Sequence, residues 1–177
     1  MPFDLRAFHP TLSAAICTMA LAAPVAAQSE TSDQSVVQPL LADAAGAYAH
    51  GLAAIAGWAI LMAVLGLLSV IGTPRAKTES GHPVRDYADP AYRRNRAFQN
   101  AIETTGPFLA AALTAILVGA SPFWTNLFAS LFLVARIAMA VVHIGTEIQP
   151  LRSLLWMVGQ ICVLGLALIA LVGAFLL

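Results

Sequence analysis

The chain has 177 residues, of which 59% are hydrophobic and 10% are charged, and its formal net charge is zero. A soluble domain usually carries about 25% charged residues, so this composition indicates a protein that is surrounded by lipid. A neutral chain also lacks the basic face that nucleic-acid binding requires, so we expect no nucleic-acid partner. Cys17 and Cys162 lie in separate apolar stretches and provide neither a disulfide framework nor a metal motif.

Residues 1–27 have the organisation of a secretory signal peptide. An apolar run from Thr11 to Pro24 precedes Val25-Ala26-Ala27, which supplies the small residues of a cleavage site. We therefore predict cleavage before Gln28 and a bacterial inner-membrane location. The alternative is an uncleaved anchor, although the run is short for a membrane span. Residues 28–45 are predicted to form a periplasmic leader.

Four apolar segments follow the leader, and each is long enough to cross a bilayer at about 1.5 Å per helical residue. They cover approximately 46–71, 93–119, 123–144 and 151–177. The sequence thus predicts an all-α membrane protein, a four-transmembrane-helix bundle with up-down topology that follows a cleavable signal peptide.

The basic residues predict the orientation of this bundle. Most of them lie in the loop 74–92 or directly after it, and Arg152 follows the turn between the third and fourth segments. Positively charged loops stay in the cytoplasm, and these two loops lie on the same side of a four-span protein. We therefore expect both mature termini in the periplasm and both charged loops in the cytoplasm.

Polar residues interrupt the second and third apolar segments: Arg96, Asn100 and Glu103 in the second, and Arg136 and His143 in the third. Ionisable groups at membrane depth are costly unless they face protein or water, so these are candidate site residues. Arg96, Asn100 and Glu103 are spaced i, i+4 and i+7, which places them on one stripe of a helix. Glu103 and Arg136 would lie at similar depths, so an ion pair between the two helices is a reasonable expectation.

Each of these residues also has a purely structural interpretation. Arg96 could extend to the membrane interface, and Asn100 could form an interhelical hydrogen bond. A Glu103–Arg136 pair could set the helix register, and His143 could be a polar residue with its hydrogen bonds satisfied. The stripe as a whole is better explained by a binding site.

The segment 93–108, RRNRAFQNAIETTGPF, resembles the signature of the MAPEG superfamily, the membrane-associated proteins of eicosanoid and glutathione metabolism. The signature contains an Arg, an Asn four residues later, a Glu three residues after that, and then a Pro and an aromatic residue. The segment 135–153, which includes Arg136, His143 and Arg152, is similar to a second signature of the family. The number and order of the spans extend the resemblance over about 46–177.

The resemblance implies a homotrimer of four-helix subunits, with sites between neighbouring subunits near the cytoplasmic face. The positions that it assigns to the co-substrate glutathione are Arg96, Asn100, Glu103, Arg136 and His143. Glutathione carries two carboxylates and one ammonium group, which Arg and Glu side chains can pair. A guanidinium beside a thiol favours the nucleophilic thiolate. Arg75 and Arg152 are the candidates for that catalytic role.

We therefore predict a membrane-bound glutathione transferase or peroxidase that acts on a hydrophobic small molecule from the bilayer. The alternative is a non-catalytic lipid-binding or scaffolding protein of the same fold. Two departures from the family favour this alternative: Met139 stands where catalytic members have a tyrosine, and no tyrosine follows Tyr92. A transporter or channel is disfavoured because no span is interrupted in the manner of a broken helix.

Overall fold

The computed structural model of the protein describes residues 39, 42–43, 45–72, 77–82 and 84–176. The chain divides into two units, Met1–Ala44 and Ala45–Leu177, and the helices discussed below belong to the second. The predicted signal peptide and most of the predicted leader lie outside the described residues. Arg75, one of the two candidate catalytic residues, lies outside them as well.

The described residues of the second unit contain four long helices: α1 (Ala49–Val70), α2 (Pro90–Leu117), α3 (Pro122–Gly145) and α4 (Gln149–Phe175). Their ends agree with the predicted segments to within three residues. The three helices α1, α3 and α4 are long and apolar enough to cross a membrane. In contrast, α2 does not reach the same apolarity, since its polar stripe lies in its first half.

Helix α2 begins at Pro90, three residues before the predicted start at Arg93. Asp89 is the residue before the helix, and its carboxylate accepts a hydrogen bond of 2.9 Å from the backbone N–H of Ala91. Proline at the first helical position lacks the N–H group that would otherwise have no partner there. This Asp-Pro start extends the helix into the polar segment that precedes the apolar one.

Side-chain hydrogen bonds stabilise the end of the bundle where α1 and α3 begin. The Asn126 side chain on α3 accepts from the backbone N–H of Gly51 and donates to the carbonyl oxygen of Ala47, both at 2.8 Å. The Tyr48 hydroxyl donates to the carbonyl oxygen of Ala120 in the turn before α3. These bonds fix the start of α1 against α3.

Aromatic side chains from three helices form the centre of the core. Trp58 of α1, Phe108 of α2 and Phe132 of α3 are almost fully buried. The rings of Phe108 and Phe132 stack with their centroids 4.0 Å apart, and Trp58 meets Phe132 edge-on at 5.1 Å. The indole N–H of Trp58 donates to the Thr105 hydroxyl at 3.2 Å, which satisfies the polar group that the ring brings inside.

The outer surface of the bundle is strongly apolar. Large aliphatic and aromatic side chains are exposed along the helices, among them Leu67, Val134, Leu164 and Leu168. Soluble monomers rarely expose apolar patches of such extent, whereas a bilayer solvates them favourably. The fold therefore agrees with the composition: the protein is an all-helical membrane protein.

Candidate functional site

A pocket of about 220 Å³ opens between α2, α3, α4 and the loop that precedes α2. We call it the basic pocket, and its lining residues are Tyr87, Arg96, Asn100, Met139, His143, Arg152, Ser153 and Trp156. Four of the residues predicted from the sequence therefore lie together here, although they come from three helices. Glu103 and Arg136, also predicted, do not line this pocket.

Arg96 and Glu103 form an ion pair with each other along α2. The Nη1 atom of Arg96 lies 2.9 Å from the Oε1 atom of Glu103, and the two side chains are 36% and 55% exposed. The prediction of an ion pair between Glu103 and Arg136 was wrong, because Glu103 pairs with Arg96, which lies two turns earlier on the same helix. Glu103 therefore faces outward from the bundle, and of this pair only Arg96 reaches the basic pocket.

Arg136 of α3 is buried, with 3% exposure, and is held by the neighbouring helix instead of by Glu103. Its Nη1 atom donates to the Asn100 side-chain oxygen at 3.0 Å and to the Met139 sulfur at 3.2 Å. Gly159 of α4 gives the guanidinium room, since a Cβ atom there would lie 3.1 Å from Nε. Because the Asn100 oxygen accepts from Arg136, its amide N–H₂ group can donate to another acceptor.

A small space of about 10 Å³ adjoins the basic pocket and is lined by Asn100, Arg136, Met139 and His143, among others. The Nε and Nη2 atoms of Arg136 and both ring nitrogens of His143 are buried, and each is without a hydrogen-bond partner among the described residues. Buried polar atoms are normally paired, so such a cluster marks a place where a polar ligand atom can be accommodated. The space has room for one group the size of a water molecule.

Arg152 enters the basic pocket from the first turn of α4. Its Cζ atom lies 4.5 Å from the centre of the Tyr87 ring, which is the geometry of a cation–π contact. Tyr87 itself packs edge-on against Tyr92, with ring centres 5.2 Å apart, and lies 6.1 Å from the His143 ring. The pocket also includes three residues that were not predicted from the sequence: Tyr87, Ser153 and Trp156.

The two arginines at the start of α2 hold the surrounding loops. Arg93 donates to the carbonyl oxygen of Tyr87 at 2.7 Å and to that of Ile144 at 3.1 Å, and it pairs with Glu147 at 3.3 Å. Arg94 donates twice to the carbonyl oxygen of Ile71 at the end of α1. Arg93 therefore connects the loop before α2 to the turn between α3 and α4.

The chemistry of the basic pocket follows from its lining. Arg96 and Arg152 bring two guanidinium groups, and no lining residue is acidic. Asn100 and Ser153 add neutral hydrogen-bonding groups, and Trp156, which is 41% exposed, adds an aromatic wall toward the outside. Such a pocket suits a polar ligand with negative charge, since paired guanidinium–carboxylate contacts are among the strongest hydrogen bonds in proteins.

The fold and the pocket define a class: a helical membrane protein with a polar, basic pocket between its helices. A model of the MAPEG family matches residues 51–172, which is more than half of the 177-residue chain. The chain belongs to the MAPEG family, as the resemblance in the sequence indicated. A search of curated proteins found no match. Membership places the protein, at a coarse level, among the membrane proteins of glutathione and eicosanoid metabolism.

Proposed function

We propose that the protein binds glutathione in the basic pocket and uses its thiol on lipophilic electrophiles or peroxides from the bilayer. The observation that carries this proposal is the convergence of Arg96, Asn100, His143 and Arg152 on one pocket without an acidic residue. Glutathione has two carboxylates, an ammonium group and two amides, so its anionic ends require guanidinium partners and its amides require neutral ones.

Roles for the pocket residues follow from their chemistry. Arg96 and Arg152 pair with the anionic groups of the ligand, and the Asn100 amide N–H₂ group donates to one of its carbonyl oxygens. Arg136 acts through Asn100 because it holds the side-chain oxygen of that residue at 3.0 Å. A thiol close to Arg152 would have a lowered pKa and a larger thiolate fraction. The same role for Arg75 stays a prediction.

The chemical step would begin from this thiolate. In a transfer reaction the sulfur forms a bond to an electrophilic carbon, and the leaving group departs with the electron pair of the broken bond. In peroxide reduction two glutathione thiols become a disulfide, while the peroxide becomes an alcohol and water. The lipophilic partner would enter from the bilayer past the apolar outer surface.

We further propose that α2 is the fourth membrane span and that the protein is a homotrimer in a bacterial inner membrane. The exposed Arg96–Glu103 pair supports this proposal, because charged side chains at membrane depth need protein or water around them. A neighbouring subunit would cover this face of α2 and complete the site near the cytoplasmic side. Glu103 would then face a subunit boundary and not lipid.

Calorimetric titration of the detergent-solubilised protein with glutathione tests the proposal. We expect saturable binding by the wild type and at least about tenfold weaker binding by Arg96→Ala, since a charge-assisted contact is removed. Arg94→Ala is the matched control, because Arg94 lies two residues away and binds the Ile71 carbonyl oxygen outside the pocket. No binding by the wild type, or equal binding by Arg96→Ala and Arg94→Ala, would contradict the proposal.

A second candidate is a non-catalytic lipid-binding or scaffolding protein of the same fold. Met139 lines the pocket on α3, and the tyrosine of catalytic members is missing there. In this case the polar residues would serve only to hold the subunits together. It predicts that Glu103→Gln or Arg96→Gln, which alter the exposed pair on α2, dissociates the oligomer in size-exclusion chromatography with light scattering. An intact trimer in both variants would count against it.

A further inference from the structure

Tyr87 differs from the other residues that line the basic pocket. The rest lie on α2, α3 or α4, whereas Tyr87 belongs to the loop that leads into α2. Its side chain nevertheless reaches the pocket and is partly buried there. A loop residue that contributes a side chain to a site formed by three helices must be held there by specific contacts.

The face of the Tyr87 ring lies against Arg152, whereas its hydroxyl interacts with Arg96. The guanidinium carbon of Arg152 lies 4.5 Å from the ring centre, well within the range of a cation–π interaction. Arg152 forms no salt bridge with any residue that the structure describes. The aromatic face of Tyr87 is therefore the group that restrains this guanidinium, while its N–H groups stay available to a ligand.

The backbone of Tyr87 is fixed independently of Arg152. Its carbonyl oxygen accepts a hydrogen bond of 2.7 Å from Arg93, which also donates to the Ile144 carbonyl oxygen at the end of α3 and pairs with Glu147 in the turn that follows. The preceding residue, Asp86, accepts a bond of 2.9 Å from the N–H of Ala88, so the chain turns tightly around Tyr87. The ring is therefore in place before any ligand arrives.

We propose that Tyr87 is the positioning residue of Arg152. One face of the guanidinium rests on the ring, so that its N–H edge is held ready for an anionic group of the ligand in the basic pocket. This inference rests on the proposed function, because it concerns an arginine that we assign to glutathione. Preorganisation of this kind raises affinity by removing the entropy cost of ordering a long side chain on binding.

A space-filling role and a positioning role make different predictions. Phenylalanine retains the aromatic face and loses only the hydroxyl, whereas leucine fills part of the volume without a π system. If Tyr87 only fills space, leucine should serve nearly as well as phenylalanine. If it positions Arg152, the effect of leucine should depend on the presence of Arg152.

The experiment is a double-mutant cycle read by glutathione calorimetry on the full-length protein. We expect Tyr87→Leu to bind about tenfold more weakly than Tyr87→Phe, since both lack the hydroxyl that interacts with Arg96 and only phenylalanine keeps the aromatic face. In an Arg152→Gln background the two variants should bind equally, since the residue that the ring positions is already absent. Arg85→Gln is the control: its Cζ atom lies 5.6 Å from the same ring, but Arg85 does not line the pocket.

The outcomes separate this proposal from the proposed function. Equal affinity of Tyr87→Leu and Tyr87→Phe, or the same difference between them in the Arg152→Gln background, overturns the positioning role and leaves glutathione binding intact. Absence of glutathione binding by the wild type contradicts the proposed function instead. In that event the Nε–Hε resonance of Arg152 in arginine-labelled protein decides the inference. A ring-current shift in the wild type and Tyr87→Phe that disappears in Tyr87→Leu supports it, and equal resonances in all three overturn it.

Discussion

Replacing Gly159 by alanine tests whether buried Arg136 organises the site. A Cβ atom at position 159 would lie 3.1 Å from the Arg136 Nε atom and 3.5 Å from its Cζ atom. Arg136 is almost fully buried and donates to Asn100 at 3.0 Å, so its side chain has little space to move away from an added Cβ atom. The substitution therefore has to disturb either the packing of α3 on α4 or the bond to Asn100.

The expected change in the free energy of unfolding results from two opposing effects. Overpacking in a dense interior usually costs about 1–3 kcal/mol. Alanine in a helix interior is favoured over glycine by about 1 kcal/mol, which hides part of this cost. Gly66→Ala in α1 is the matched control, because it gains the same propensity and its Cβ atom would meet Phe98 at an ordinary 3.5 Å. The difference between the two variants should therefore be about 1–3 kcal/mol.

The assay is thermal unfolding of both variants in one detergent, followed by glutathione calorimetry. We expect Gly159→Ala to unfold below Gly66→Ala by roughly 2–4 °C for each kcal/mol, as for other domains of this size. Gly159→Ala should also bind glutathione more weakly, because the Asn100 amide loses its orientation. If Gly159→Ala unfolds no lower than Gly66→Ala and binds normally, the restraint that we assign to Arg136 does not exist.

Two further predictions concern the bundle itself. Asn126→Leu removes the 2.8 Å bonds to Gly51 and Ala47, so it should lower the free energy of unfolding by about 1–3 kcal/mol; an unchanged unfolding midpoint would contradict this. Cys162 is 1% exposed in the core, so in a Cys17→Ser background a maleimide should label the protein only after denaturation. Rapid labelling of the folded protein would show that the core around α4 is open.

The helices could be predicted from the sequence because the length of each apolar segment can be read directly from its hydropathy. Glycine and proline mark the ends of α1 and α2, and Gly119, with φ of +64°, takes up the left-handed conformation after α2. The start of α2 was placed too late since Asp89 and Pro90 act through capping, which a hydropathy pattern does not register. The observed start of α2 therefore lies three residues before the predicted start, and the order of the segments is unchanged.

The pocket was only partly predictable. Spacing along one helix identified Arg96, Asn100 and Glu103 as a stripe, but it could not decide which partner Glu103 would take. That choice depends on the rotation of α2 against α3, which points Asn100 toward Arg136 and leaves Glu103 outside. Tyr87 was missed because its place in the pocket depends on the backbone bond from Arg93, which is a tertiary contact.

The most direct test of the central claim is the ultraviolet thiolate absorbance of glutathione bound to the purified protein. A thiol held beside the arginines of the basic pocket should ionise at neutral pH, so a thiolate band should appear on saturation of the wild type. The band should be strongly reduced in Arg152→Gln. Saturable binding without any thiolate band in the wild type would contradict a catalytic pocket and favour the lipid-binding or scaffolding alternative.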